Sequence, residues 1–109
     1  MPADAELVQR VRAVLARRRG VKEVRMFGGV CFTINGHMCC GIANTDLVLR
    51  LGGAGAADAL DEPHTRPMDF TGRPMRSMVC VDAAGVRDDA ALRAWIDRAA
   101  RFVRTLPPK

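Results

Sequence analysis

The stretch Val30-Cys31-Phe32-Thr33-Ile34-Asn35-Gly36-His37-Met38-Cys39-Cys40-Gly41-Ile42 decides the fold. Two apolar runs flank Asn35-Gly36, and an Asn-Gly pair meets the positive φ that both central positions of a type I′ turn demand. The stretch therefore reads as a two-residue β-hairpin. Counting outward from the turn, Ile34 faces His37, Thr33 faces Met38, Phe32 faces Cys39 and Cys31 faces Cys40. Alternation then puts Cys31 and Cys40 on one face, His37 and Cys39 on the other.

Outward from the hairpin, Val21–Phe27 reads as a strand on its N-terminal side, joined to it through Gly28-Gly29. Leu47–Leu51 reads as a further strand after a turn at Asn44-Thr45-Asp46. The two hairpin strands and Leu47–Leu51 are expected to form a three-stranded antiparallel meander. Before the strands, Asp4 caps a helix over 4–19 with Leu7, Val8, Val11, Val14 and Leu15 on one face, and Gly20 supplies its stop. After them, Gly52-Gly53 ends the fourth strand and Ala54–Leu60 forms a short helix. Residues 61–76, with Pro63, Pro67 and Pro74, are expected to be largely loop. Ser77–Val81 is a strand apolar on both faces, hence buried. Asp88 caps a closing helix over 88–106 whose stripe is Leu92, Trp95, Ile96, Ala99, Phe102, Val103 and Leu106, and Pro107-Pro108 ends it. The order α-β-β-β-β-α-β-α predicts an α+β fold, an antiparallel sheet with flanking helices.

The length of 109 residues fits one domain over 1–109. Apolar residues at 49% and charged residues at 27% are globular values, which exclude disorder and low complexity. The N-terminus has no cationic start followed by an apolar stretch, and no run approaches the roughly 18 apolar residues of a membrane span. A cytoplasmic protein with reduced, buried thiols is expected. The net charge of +5 comes from 15 arginines and 2 lysines against 12 acids.

Several chemistries are weighed and set aside. Leu51–Asp58 lies where a dinucleotide fingerprint would, but Asp58 replaces its third glycine and no βαβ crossover precedes it. His37, Cys31, Cys39, Cys40 and Cys80 do not converge in the expected register, and no CxxC spacing is present, so neither metal nor cofactor is expected. No catalytic constellation stands out. His64 and Arg66, with Arg73 and Arg76, form a candidate anion or partner contact on the proline-rich loop, and Arg17, Arg18 and Arg19 a second. Cys31 and Cys40, expected as a non-hydrogen-bonded pair with Cα atoms about 4.5 Å apart, are the candidate redox pair.

Three features resemble the N-terminal domain of the TfoX/Sxy competence regulators. They are Met26-Phe27-Gly28-Gly29-Val30 opening the Asn35-Gly36 hairpin, Phe70-Thr71-Gly72-Arg73-Pro74-Met75 before the last strand, and Ala91-Leu92-Arg93-Ala94-Trp95-Ile96 in the closing helix. The resemblance spans about Leu7 to Leu106. It implies a compact α+β domain similar to type III secretion chaperones, no enzyme activity and a role in transcription. Full-length regulators add a C-terminal helical domain and promote transcription of DNA-uptake genes together with a cyclic-AMP receptor protein. This chain ends at Lys109, so the competence role itself is not carried over, and it lacks the tyrosine often found near the position of Phe70. The expected function is a non-enzymatic protein-interaction module in transcriptional regulation, binding a regulator or its own twin. Weak, sequence-independent binding of nucleic acid through Arg17–Arg19, Arg25, Arg93, Arg101 and Arg104 is the alternative, and a thiol redox sensor the third reading.

Overall fold

The computed structural model describes residues 3–26, 28–68 and 75–108. Helix α1 spans Ala5–Leu15, where Asp4 Oδ2 accepts from Leu7 N at 2.9 Å and so satisfies one of the amides a helix start leaves open. Its buried side chains are Leu7, Val8, Val11 and Leu15. The helix stops at Leu15, short of the expected residue 19, and Arg17–Arg19 lie in the turn that follows. Gly20, expected as the helix stop, has φ +75° and serves the next contact instead. Its carbonyl accepts from Asn35 N at 3.0 Å, and a Cβ there would meet Asn35 Oδ1 at 2.3 Å.

Strands β1 (Val21–Met26), β2 (Gly29–Ile34), β3 (His37–Ala43) and β4 (Asp46–Arg50) follow in sequence. Asn35 at φ 54° and Gly36 at φ 86° make the hairpin turn that the sequence demands. Helix α2 occupies Gly52–Ala59, two residues earlier than expected, because Gly52 at φ +78° turns the chain straight out of β4. Strand β6 (Met75–Val81), a one-turn 3₁₀ helix (Ala83–Val86) and helix α3 (Asp89–Val103) complete the chain. Asp88 caps α3 through Oδ2, accepting from Ala91 N at 3.2 Å.

Residues 61–76 are not all loop. Thr65–Met68 forms strand β5, antiparallel to β6 at the sheet's edge. Pro67 is tolerated there because an edge strand has one side without a partner to bond. Thr65 Oγ1 donates to Ala59 O and Glu62 O, both at 2.9 Å, and fastens the strand to the end of α2.

The result is α+β, one six-stranded antiparallel sheet in the order β1-β2-β3-β4-β6-β5. The main core joins Val30, Phe32, Ile34, Ile42, Leu47, Leu49, Val79 and Val81 of the sheet to the buried faces of all three helices. On α3 those are Leu92, Trp95, Ile96, Ala99, Ala100 and Val103, with Phe102 half-buried. The helix ends at Val103, short of the expected residue 106, and Leu106 is half-buried in the turn beyond it. The opposite sheet face holds a separate cluster of strand residues alone: Val48, Met68 and Cys80, with Met38, Ala43 and Met78 half-buried around them.

The hairpin register departs from simple counting. Ile34 faces His37 and Thr33 faces Met38 as expected, but Phe32 then faces Cys40, Cys31 faces Gly41 and Val30 faces Ile42. Cys39 is the extra residue of a β-bulge, and one inserted residue moves every later side chain of β3 to the other face.

Candidate functional site

The bulge dismantles the geometry behind the Cys31–Cys40 pair. Cys39 and Cys40 both enter the helix-covered core, each fully buried. Cys31 alternates with Val30 and Phe32, so it points through the opposite face, as does Met38, whose methyl would lie 3.6 Å from a Cβ on Gly41. The expectation that Cys31 and Cys40 share a face is therefore corrected. All four thiols are free and buried.

The neighbouring thiols of the bulge polarise one another. A hydrogen bond from Cys40 holds the Cys39 thiol below its usual range; Arg18 and Arg104 act in the same sense, against burial. Giving that bond, together with burial, pushes Cys40 well up. Burial also raises Cys31 and Cys80, and Cys80 Sγ lies 3.4 Å from Met68 Sδ.

The loop cations do not gather around one point. His64, at φ 69°, sets Nδ1 3.3 Å from Asp82 Oδ1. Arg66 on β5 pairs with Asp46 on the helix-free face, and that bond raises its pKa further. Arg76 is exposed at the opposite end of β6, about 13 Å along the strand from Cys80, the neighbour of Arg66, at ~3.3 Å per residue. Arg73 lies outside the described residues.

The turn that carries Arg17, Arg18 and Arg19 is tied to α3. Arg18 Nη2 bridges to Asp97 Oδ1 at 2.5 Å, and Arg104 Nη2 donates to Arg19 O at 3.2 Å. The turn after α1 and the end of α3 thus form one arginine-rich ridge, with Arg17, Arg19 and Arg104 exposed. Beside it, Leu51, Gly55, Asp58, Arg98, Arg101, Phe102 and Thr105 line a shallow groove of about 300 Å³. Glu62 holds Arg98 at 2.7 Å while its guanidinium stacks 4.4 Å above the Trp95 ring.

Sequence reasoning missed the helix-free face. Its members come from β3, β4, β5 and β6, and only the sheet order brings them together. The available signal was the unbroken apolar runs Leu47–Leu49 and Met78–Val81, which put apolar side chains on both faces of the sheet; only Ser77–Val81 is read that way above. Among the described residues, no group of three or more His, Cys, Asp or Glu side chains is placed to hold a metal. Nor is any described helix long and apolar enough to cross a membrane.

Helices packed on one face of a meandering antiparallel sheet, with no converging polar centre among the described residues, define an α+β scaffold that offers surfaces. The sequence profile of the TfoX N-terminal domain matches residues 13–103, and the chain belongs to that family. No curated protein and no solved structure matches it.

Proposed function

We propose that this TfoX-type domain is a non-enzymatic protein-interaction module of transcriptional regulation, acting in the cytoplasm. The observation that carries the reading is the helix-free sheet face. Met38, Met68 and Met78 surround Val48 and Cys80 there, with the Arg66–Asp46 pair at one end of the face and Arg50, at the other end of β4, on the same side. Methionine is flexible and polarizable, and surfaces that accommodate protein partners use it heavily. Half-buried apolar side chains ringed by charge are also the pattern of an interface before its partner arrives. The membership supports the transcriptional setting, since TfoX regulators act there.

The test is affinity capture from the native host, comparing the wild type with a Met38→Asp/Met78→Asp variant. A transcription regulator held by the wild type and lost from the variant is expected. A partner held equally by both, or no protein held by either, refutes the reading.

A second reading rests on the ridge of exposed Arg17, Arg19 and Arg104, next to Arg18, which is paired with Asp97. Such a ridge suits phosphate contacts, which carry no sequence information. DNA binding through it would be weak, indifferent to sequence and steeply salt-dependent. A filter-binding titration across salt concentrations, repeated with Arg17→Ala/Arg19→Ala, distinguishes it from the first reading.

A further inference from the structure

The two edges of the sheet differ. β5 is a four-residue edge that contains Pro67. β1 has six residues, and Lys22, Glu23, Val24 and Arg25 are all exposed. Asn35 N donates to Gly20 O at 3.0 Å, which fixes the phase of the β1–β2 ladder. Even-numbered β1 residues bond inward to β2, and the main-chain groups of Val21, Glu23 and Arg25 point outward. Among the described residues none bonds to those outward groups. An open row of this kind is a template for another strand.

We propose that β1 pairs with β1 of a second copy of this chain, antiparallel about a twofold axis at Val24, joining two sheets into one of twelve strands (twice the six of one copy). The register follows from parity and charge. Outward residues must face outward residues, so the axis passes through a residue position. An axis at Glu23 sets that carboxylate against its twin, and one at Arg25 sets two guanidinium groups together. An axis at Val24 sets Glu23 against Arg25 of the partner copy, twice, and faces Val24 with itself. Among the described residues, Val24 is one of two large apolar side chains left exposed, at 38%. Opposite charges directly across a ladder stabilise it and like charges destabilise it.

Glu23 is held in its charged form at this edge. Arg12 grips it by two bonds, Nε to Oε1 and Nη2 to Oε2, both 2.8 Å, and holds its pKa down, so the carboxylate stays charged beside the edge. Self-complementarity also closes the assembly: an isologous pair uses both β1 edges, and β5, blunted by Pro67, offers no continuation into a fibre. Two six-residue strands bury less than the area of a standard stable interface, so the dimer belongs to the weak, exchanging class.

This surface lies apart from the methionine-lined face, and the inference stands without the functional reading. Sedimentation equilibrium at tens to hundreds of micromolar protein should show a monomer–dimer equilibrium. Arg25→Pro removes one outward amide and no bond to β2, and Arg25→Glu places like charges across both ladder positions; each should weaken association by about tenfold or more. Val24→Cys reports the register directly. At the axis its Cα atoms would lie about 4.5 Å apart, within disulfide reach, so mild oxidation should give a covalent dimer. Circular dichroism confirms that each variant is folded. A monomer at all concentrations, a dimer indifferent to Arg25→Pro, or cross-linking that favours Glu23→Cys or Arg25→Cys over Val24→Cys overturns the proposal. Loss of dimerisation with partner capture intact would leave the functional reading standing, and the Met38→Asp/Met78→Asp variant should still dimerise.

Discussion

Gly52 and Gly53 are adjacent, yet replacing them with alanine should move stability in opposite directions. Gly52 sits at φ +78°, where an L-residue carries a cost of about 1–2 kcal/mol. A Cβ there would also lie 2.5 Å from Phe102 Cε1, 2.8 Å from Cδ1 and 3.1 Å from Cζ. The ring must move, and overpacking of that kind costs about 1–3 kcal/mol. Gly52→Ala should therefore destabilise by about 2–5 kcal/mol, the sum of the two costs. A Cβ at Gly53 meets nothing within 4 Å, and the residue lies in the first turn of α2. Gly53→Ala should be neutral or stabilise by up to about 1 kcal/mol through helix propensity and reduced unfolded-state freedom.

The two components of the Gly52 effect separate in a double-mutant cycle. Phe102→Ala removes the ring but leaves the backbone at φ +78°, so Gly52→Ala in that background should cost only the conformational part. The coupling between the two sites is then about 1–3 kcal/mol, the size of the clash. Urea denaturation followed by circular dichroism, with constant slopes, measures all four corners of the cycle. A Gly52→Ala variant within about 0.5 kcal/mol of wild type, or strict additivity with Phe102→Ala, would refute the close approach of α3 to the start of α2.

Trp95 is 8% exposed beneath Arg98, so Trp95→Ala should lower stability by about 3–5 kcal/mol in the same assay; an unchanged melting curve would mean α3 docks by another face. Asp88→Ala removes the cap of α3 and should cost about 1 kcal/mol. Because Arg12 lowers the Glu23 pKa, that carboxylate contributes stability above its ordinary value of 4.5, lost as the pH falls through the lower folded value. The stability gap between wild type and Glu23→Gln, measured in dilute protein, should accordingly be full near neutrality and close in acid.

The parts of the fold legible in the sequence are those with local causes. Asn35-Gly36 fixes a turn through backbone sterics alone, and Asp4 and Asp88 mark helix starts because an N-cap needs only its own first turn. The apolar stripes of α1 and α3 declare their buried faces for the same reason. Strand β5 was hidden because Pro67 argues against any strand, and only the sheet order shows that it sits where proline is allowed. Non-local polar links were equally invisible. Arg10 spans 79 positions to bond Asp89 Oδ1 at 2.9 Å and also holds Val86 O at 2.8 Å, locking α1 to the entrance of α3.

The cysteines show how one residue redirects a functional reading. Strict alternation placed Cys31 beside Cys40 because each step from the Asn35-Gly36 turn was counted as one residue on either strand. The structure spends two residues of β3, Cys39 and Cys40, against the single Phe32. No residue type in His37–Ala43 advertises this, since the extra position is filled by a small apolar thiol that packs in the core as readily as on either face. The consequence is chemical. With the sheet itself between Cys31 and Cys40, oxidation of the folded protein should yield no 31–40 link, and peptide mapping after alkylation of free thiols reads this directly. Cys39 is the thiol nearest its reactive form, held so by Cys40, Arg18 and Arg104, yet it is fully buried. Its alkylation should therefore follow the opening of the α1–α3 layer, slowing wherever that layer is stabilised. A 31–40 disulfide recovered as the main product would remove the bulge, and with it the separation of Cys40 from the methionine-lined face.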